Sequence, residues 1–344
     1  MRTIISVQVL RAVAALSVVL CHFNQVELMV QGRANDPMQL FSLSSGVDLF
    51  FVISGFIMVY SSEQSFGTTD AWKAFLGRRL ARIVPLYWLT TAIAIPLMSL
   101  PVNWQTLLDS YFFIPYRIPN DAIVPLHGVG WTLNFEMFFY MLFALTIRLQ
   151  QSVAVYALCT ALTCIVLLGH WLQPQLAPLA FWSDPIILEF AIGMMIALQY
   201  RRGLQLPTAL RLCLIAVGAV AVWFSAQHMP PSGYRVVLWG IPAAMIFSGT
   251  VLGKQPSFGW LTSATKLMGD SSYALYLIHP LVAAMIVRYW HDGLDRYPTI
   301  VVLACGLALS IVVSIAAFLL LEKKSTTFTR NVFGFRPTAP HMHS

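Results

Sequence analysis

The sequence predicts an all-α integral membrane protein with about ten transmembrane helices in one bundle and both termini in the cytoplasm. Its 344 residues are 58% hydrophobic and only 10% charged, and their mean hydropathy is +0.72. A soluble domain usually carries about a quarter charged residues. Apolar segments of about 20 residues, the length that crosses a bilayer as a helix, recur along the chain. This composition excludes an ordinary soluble enzyme.

The hydrophobic segments predict ten spanning helices, which follow one another with mostly short connections. We place them at Ile5–Phe23, Gly46–Ser61, Ile83–Leu100, Trp131–Leu149, Val153–Trp171, Pro185–Tyr200, Leu210–Ala226, Val236–Leu252, Ser272–Trp290 and Thr299–Leu321. Of the 21 lysines and arginines, fifteen fall in the loops on the side of the termini and five on the opposite side, while Arg11 lies within the membrane. Because positive charge accumulates in cytoplasmic loops, this distribution predicts cytoplasmic termini.

The first span carries two polar side chains, Arg11 and His22. They are eleven residues apart, so at about 100° per residue both project from one stripe of the helix, about 16 Å apart along its axis. A guanidinium is costly in hydrocarbon unless it faces the bundle interior or a wet cavity. We therefore expect this stripe to face a continuous tunnel between the two sides of the membrane.

Three residues are expected to cluster in the outer half of the bundle. His22 can accept and return a proton near neutral pH. Asp48 begins the second span, where it either caps the helix or orients the His22 imidazole as a carboxylate does in a hydrolytic triad. Glu136 shares a polar stripe with Thr132 and Tyr140, and it could bind acceptor hydroxyls or assist proton transfer.

The cytoplasmic side carries its own cluster, Arg78, Arg79 and Arg82, at the mouth of the third span. These arginines either reach toward lipid headgroups or form a phosphate clamp, for which forked guanidinium donors are well suited. His279 lies within the ninth span beside Pro280, which predicts a kink. Two roles stay open for this histidine: a structural hydrogen bond to a neighbouring helix, or a part in the site.

The composition also limits metal and nucleic-acid binding. The five cysteines lie singly within apolar segments, so they predict neither a metal site nor a disulfide framework. The net charge of +7 is explained by the positive-inside bias, without a nucleic-acid partner.

Taken together, these motifs resemble the acyltransferase 3 family of membrane O-acyltransferases, and within it the bacterial exopolysaccharide O-acetyltransferases. The resemblance is carried by Arg11 and His22 with ten residues between them, GVDLFFVISGF at 46–56, RLAR at 79–82, WTLNFEMFFY at 131–140 and SYALYLIHPL at 272–281. It implies a transmembrane acyltransferase domain at residues 1–325, followed by a short basic cytoplasmic tail at 326–344. It also implies a multi-pass protein of the bacterial inner membrane.

The resemblance further implies the reaction, acyl-CoA binding by the arginine motif and a catalytic role for His22, and the residue types and positions described above predict the other roles. Acyl-CoA, most simply acetyl-CoA, would be the donor substrate and would enter from the cytoplasm, and a saccharide hydroxyl would be the acceptor. The expected catalytic residues are His22, Glu136 and Asp48. The expected acyl-CoA contacts are Arg11, Arg78, Arg79 and Arg82. The expected acceptor contacts are Trp131, Tyr140 and His279.

Two other functions stay open on the sequence alone. Buried arginine, histidine and glutamate residues also mark the proton pathways of secondary transporters. A catalytically silent subunit of a polysaccharide export complex is the second alternative. Membrane lipids are expected partners in every case, and the sequence leaves open whether the chain forms a homo-oligomer.

Overall fold

The computed structural model describes residues 3–30, 41–225, 232–255, 261–294 and 297–325, together with residues 230, 259 and 327. Within these ranges the chain is helical and contains no β-strand beyond one isolated bridge between Arg117 and Ile123. The predicted basic tail, 326–344, falls outside the described residues except for residue 327.

The described residues form fourteen α-helices, labelled in chain order. They are α1 Ile5–Val30, α2 Gly46–Ser61, α3 Ala71–Leu97, α4 Trp104–Tyr111, α5 Trp131–Thr146, α6 Gln151–Leu172, α7 Ala177–Trp182, α8 Leu188–Arg201, α9 Thr208–Phe224, α10 Ser232–Arg235, α11 Ile241–Val251, α12 Leu261–Asp270, α13 Ser272–Leu294 and α14 Thr299–Ala317. A π-helical segment, Val236–Gly240, joins α10 to α11, and a second one, Phe318–Glu322, follows α14.

The helical architecture agrees with the sequence prediction, since every predicted span coincides with a helix. Within the described ranges, eight helices are long and apolar enough to cross a membrane. The remaining two predicted spans are shorter: α8 has 14 residues and α9 has 17. Helix α3 begins at Ala71, well before the predicted start, so the arginine cluster lies within the helix and not in a loop.

Helices α2 and α8 pack closely because each presents a glycine to the backbone of the other. A Cβ atom on Gly55 would lie 2.1 Å from the Phe190 carbonyl oxygen, and one on Gly193 would lie 2.0 Å from the Val52 carbonyl oxygen. Small residues allow such approaches between membrane helices. Gly46 admits α1 in the same way, since its Cβ would lie 2.5 Å from the Ala14 carbonyl oxygen.

Helix α1 contacts α2, α12, α13 and α14. Along α1, Arg11 precedes His22, and along α13, Ser272 precedes His279. Arg11 and Ser272 line the same inner cavity, whereas His22 and His279 contact each other. Helices α1 and α13 therefore run in the same direction, and this parallel pair carries the site described next.

Candidate active site

Two cavities lie along α1, and Arg11 and His22 belong to different ones. The first, here called the inner cavity, has a volume of about 120 Å³. Its polar lining consists of Arg11, Ser54, Arg79, Arg82, Thr132, Glu136, Tyr140, Ser272, Tyr273 and Tyr276. The second, the outer cavity, is wider, at about 730 Å³. Its polar lining consists of His22, Gln25, Ser99, His127, Trp131 and Arg288.

In the outer cavity, His22 is held by His279. The Nδ1 atom of His22 lies 2.7 Å from Nε2 of His279, and the ring centroids are 4.9 Å apart with an angle of 23° between the planes. The centroid separation is close to the N···N distance plus two ring radii, so the rings meet edge to edge in nearly one plane. This is the geometry of a hydrogen bond and not of a face-to-face stack.

The partners of the two rings determine the tautomer of His22. Nδ1 of His279 lies 3.0 Å from the Leu275 carbonyl oxygen, which can only accept a hydrogen bond, so Nδ1 carries the proton. In the neutral ring, Nε2 of His279 then accepts a hydrogen bond from Nδ1–H of His22. Nε2 of His22 is left with a free lone pair, and His22 lines the outer cavity. The arrangement presents a general base to that cavity.

His279 therefore contacts His22 and lines neither cavity, so it lies behind the imidazole and not at the cavity surface where an acceptor contact was expected. It is fully buried and bonds both a neighbouring helix and its own backbone. The sequence left a structural bond and a role in the site as alternatives for His279, and this geometry combines the two.

A second histidine of the outer cavity, His127, was missed by the sequence analysis. It is 1% exposed, and its Nε2–H donates to the Leu277 carbonyl oxygen at 2.9 Å. It precedes the span that starts at Gly128, and desolvation lowers its pKa to about 4, so the ring is neutral at physiological pH. Its position four residues before Trp131, at the start of the polar α5 motif, was the available signal.

Three guanidinium groups, those of Arg11, Arg79 and Arg82, line the inner cavity together with the Glu136 carboxylate. Arg79 donates to Ser61 Oγ at 2.9 Å, and Arg82 donates from Nε to Glu322 Oε1 at 3.0 Å. Among the described residues, none forms a hydrogen bond or ion pair with Arg11. The guanidinium of Arg11 thus lines the cavity with its donors available. The cluster is suited to binding an anion.

Two residues that we expected near His22 or the acceptor lie in the inner cavity instead. Glu136 Oε1 accepts hydrogen bonds from Ser54 Oγ, at 2.9 Å, and from the Tyr140 hydroxyl. Both Glu136 and Tyr140 line the cavity with the arginines. The expected outer cluster of His22, Asp48 and Glu136 was therefore wrong in its geometry, because the stripe on α5 faces the inner cavity.

The prediction that Asp48 orients His22 is also contradicted. Both Asp48 carboxylate oxygens accept hydrogen bonds from Arg235, from Nε and Nη2, at 2.9 Å each. Asp48 is fully buried and Arg235 is 9% exposed. Arg235 is one of the five basic residues that the sequence places on the side opposite the termini, and its pairing with Asp48 was not predicted.

The arginine cluster is divided by the turn of α3. Arg79 and Arg82 line the inner cavity, whereas Arg78 lies exposed on the surface of the helix. At about 100° per residue, residues 78 and 79 lie about 100° apart on opposite sides of residue 82, so Arg79 and Arg82 can line the cavity while Arg78 points away from it. Arg78 is therefore outside the cavity that the other two line.

Tyr276 connects the walls of the two cavities. Its hydroxyl donates to the Val129 carbonyl oxygen at 2.9 Å and accepts from Thr132 Oγ1 at 3.1 Å. Tyr276 and Thr132 line the inner cavity, and Val129 lines the outer one. In the part of the chain that the structure describes, no residue lines both cavities, so the continuous tunnel expected from the sequence is closed at this point.

Comparison with known proteins identifies the family of this chain. The acyltransferase domain family matches residues 4–319. The chain belongs to this family. It is an O-acyltransferase, and its apolar helices make it a multi-pass membrane protein.

Three relatives of this acyltransferase illustrate the range of similarity. The exopolysaccharide production protein ExoZ of Rhizobium meliloti is 31% identical over 255 residues, covering 71% of this chain and 78% of the relative. The acyltransferase MdmB of Streptomyces mycarofaciens is 26% identical over 314 residues, covering 82% and 78%. The O-acetyltransferase OatA of Staphylococcus aureus strain MRSA252 is 22% identical over 347 residues, covering 83% and 56%. No solved structure matches the acyltransferase.

Proposed function

We propose that this acyltransferase moves an acetyl group from cytoplasmic acetyl-CoA to a sugar hydroxyl of an exopolysaccharide or its lipid-linked precursor. The proposal places both termini in the cytoplasm and the protein in the bacterial inner membrane. The proposal rests on the hydrogen bond between His22 and His279, which leaves a free lone pair on Nε2 of His22 at the outer cavity. The relative ExoZ, an exopolysaccharide production protein, supports the acceptor class.

The inner cavity supports acyl-CoA as the donor. CoA carries phosphates, and Arg11, Arg79 and Arg82 converge on a cavity whose only lining carboxylate among the described residues is Glu136. Guanidinium groups bind phosphate with paired, charge-assisted hydrogen bonds. Phosphates are too costly to carry through hydrocarbon, so the nucleotide end remains near the arginines while the uncharged pantetheine arm extends along α1. The thioester reaches His22 when the Tyr276 side chain, which closes the passage between the two cavities, moves aside.

The chemistry requires only one base at the outer end. Nε2 of His22 takes the proton from the sugar hydroxyl as the oxygen attacks the thioester carbonyl carbon. The new C–O bond forms and the C–S bond breaks, and His22 returns the proton to the departing CoA thiolate. Nδ1–H of His22 remains bonded to His279 throughout, so the imidazolium that forms is stabilised in place.

The decisive experiment compares the wild-type chain with His22→Ala in proteoliposomes. Acetyl-CoA is enclosed on the arginine side, and de-esterified polysaccharide from the producing cells is supplied outside. We expect the wild type to release CoA and to esterify the polymer, and His22→Ala to lose both. A well-folded His22→Ala protein that esterifies the polymer at the wild-type rate contradicts the proposal. Flux of saccharide or acetyl-CoA without CoA release favours a secondary transporter.

The same comparison in cells tests the silent-subunit alternative. We expect deletion of the protein to lower the acetyl content of the polysaccharide without changing its amount. A loss of polymer with unchanged acetyl content favours a structural part in export.

A further inference from the structure

A buried ion pair lies next to the outer cavity and takes no part in the proton transfer just described. Asp48 and Arg235 share two hydrogen bonds of 2.9 Å, and both side chains are almost inaccessible to solvent. Desolvating two charges costs free energy that their mutual attraction often fails to recover, so such a pair is weak evidence for stability alone. The neighbours of the pair indicate what it holds in place.

The guanidinium of Arg235 lies between two indole rings. Its Cζ atom is 5.4 Å from the ring centroid of Trp131 and 5.0 Å from that of Trp239. Trp239 is fully buried, and its Nε1–H donates to Ser225 Oγ at 3.0 Å. Trp131 is half-buried and lines the outer cavity. Arg235 therefore connects an anchored interior indole to an indole at the cavity surface, with a cation–π contact to each.

The backbone that carries Arg235 is itself constrained. Arg235 is the last residue of α10 and is followed by the π-helical segment Val236–Gly240, a type of distortion that is frequent at functional sites. At the end of that segment, Gly240 packs against the fully buried Glu189, since a Cβ there would lie 2.5 Å from Glu189 Oε1. The π-helical segment and the packed Gly240 therefore constrain the backbone that directly follows Arg235.

Trp131 has the properties of a saccharide platform. Phe51 and Phe135 meet its ring edge to face, at centroid distances of 6.2 Å and 6.0 Å, and fix its plane. No described residue accepts a hydrogen bond from its indole N–H. Aromatic faces bind apolar C–H surfaces, and an indole N–H binds a hydroxyl. A sugar ring presents both kinds of group, so it can use the face and the N–H together.

We propose that Arg235, held by Asp48, is a positioning residue that fixes the indole of Trp131 as the platform on which the acceptor sugar stacks beside His22. This inference rests on the proposed function and adds the group that orients the acceptor. Arg235 does not line the outer cavity, and its Nε and Nη2 groups donate to Asp48, so it acts through Trp131.

The test is a double-mutant cycle with the variants Trp131→Phe, Arg235→Lys and the combination of both. The acceptor is oligosaccharide from the producing cells' polysaccharide, de-esterified with mild alkali, and the donor is acetyl-CoA. We expect each single variant to raise the acceptor KM by about three- to thirty-fold, the range of one cation–π contact. The acetyl-CoA KM should stay unchanged. The double variant should be no worse than Trp131→Phe alone, because the two residues act in series.

Trp104→Phe is the matched control. It makes the same substitution at an indole that is 81% exposed on α4 and lines neither cavity, so its acceptor KM should remain within about twofold of wild type. If Arg235→Lys does not fold, the combined variant Asp48→Asn with Arg235→Gln is used in the cycle in place of Arg235→Lys. This variant replaces the ion pair by neutral hydrogen-bonding groups.

The outcomes separate this inference from the proposed function. Additive effects of the two single variants, or an increase in the acetyl-CoA KM alone, overturn the positioning role. A wild-type protein that releases no CoA and esterifies no oligosaccharide overturns the proposed function, and with it this inference.

Discussion

Nδ1 of His22 lies 2.7 Å from Nε2 of His279, and this contact joins the first helix of the chain to the thirteenth. The Leu275 carbonyl oxygen anchors the far side of His279, so a chain of hydrogen bonds runs from helix backbone to the reactive edge of His22. In a hydrolytic triad a carboxylate has this orienting role. Here the His279 imidazole contacts His22 in that position, and the Asp48 carboxylate accepts from Arg235 instead.

Removing the His279 ring should slow catalysis without weakening the binding of acyl-CoA. We expect His279→Ala to lower kcat by about a hundredfold or more, the usual contribution of a positioned general base, with little change in the acyl-CoA KM. His279→Gln should recover part of the loss, because its amide oxygen can accept from Nδ1–H of His22. The measurement is CoA release with acceptor present. His170→Ala, at an exposed position on α6, is the control, and full activity of His279→Ala would contradict the orienting role.

The contact between Tyr276 and Val129 should separate the donor from water in the outer cavity. Tyr276→Ala removes the ring that joins the two cavity walls, so we expect acceptor-independent hydrolysis of acetyl-CoA to increase several-fold. Tyr276→Phe retains the ring and loses two hydrogen bonds, so it should show a smaller increase. CoA release without saccharide measures the effect. An unchanged hydrolysis rate in Tyr276→Ala would show that another group closes the passage.

An arginine should affect the affinity for acyl-CoA only if it lines the inner cavity. We expect Arg11→Gln to raise the acyl-CoA KM by about ten- to a hundredfold, because a charge-assisted hydrogen bond to phosphate is lost. Arg78→Gln, on the exposed face of α3, should change it by less than about threefold. Isothermal titration with CoA in detergent measures the same difference without turnover. Equal effects of the two substitutions would contradict a donor site in the inner cavity.

The close packing of α2 against α8 predicts a stability effect distant from the chemistry. Gly55→Ala places a methyl group 2.1 Å from the Phe190 carbonyl oxygen, and backbone cannot yield as a side chain can. We expect a loss of about 1–3 kcal/mol in the free energy of unfolding. The thermal midpoint in detergent reports it. Gly233→Ala, where nothing lies within 4 Å of the added atom, is the matched control and should not lower the midpoint.

Part of the site was predictable because it lies on single helices. The stripe of Arg11 and His22 follows from their spacing on one helix, and the cost of burying a guanidinium indicates that Arg11 faces the interior. Arg79 and Arg82 share a face for the same reason and do line the inner cavity. In contrast, the sequence grouped Glu136 with His22 by depth alone, and depth does not determine which cavity a side chain faces.

Pairs between distant helices could not be predicted in this way. The bond between His22 and His279 spans 257 positions, and that between Asp48 and Arg235 spans 187. Each side chain has a plausible local interpretation, such as helix capping for Asp48 or a surface position for Arg235. Which partner it meets depends on how the helices pack, and that depends on close contacts such as Gly55 against Phe190.

The sequence by itself determined the membrane-embedded helical architecture and the two functional ends of the first helix, since both follow from hydropathy and helical spacing. It also determined the family, because the motifs that mark it are continuous along the chain. Only the tertiary structure decided that His279 contacts His22, that Arg235 contacts Trp131 and that Tyr276 separates the cavities. The physical reason is that these relations depend on the rotation and contact of whole helices, which no single stretch of residues specifies.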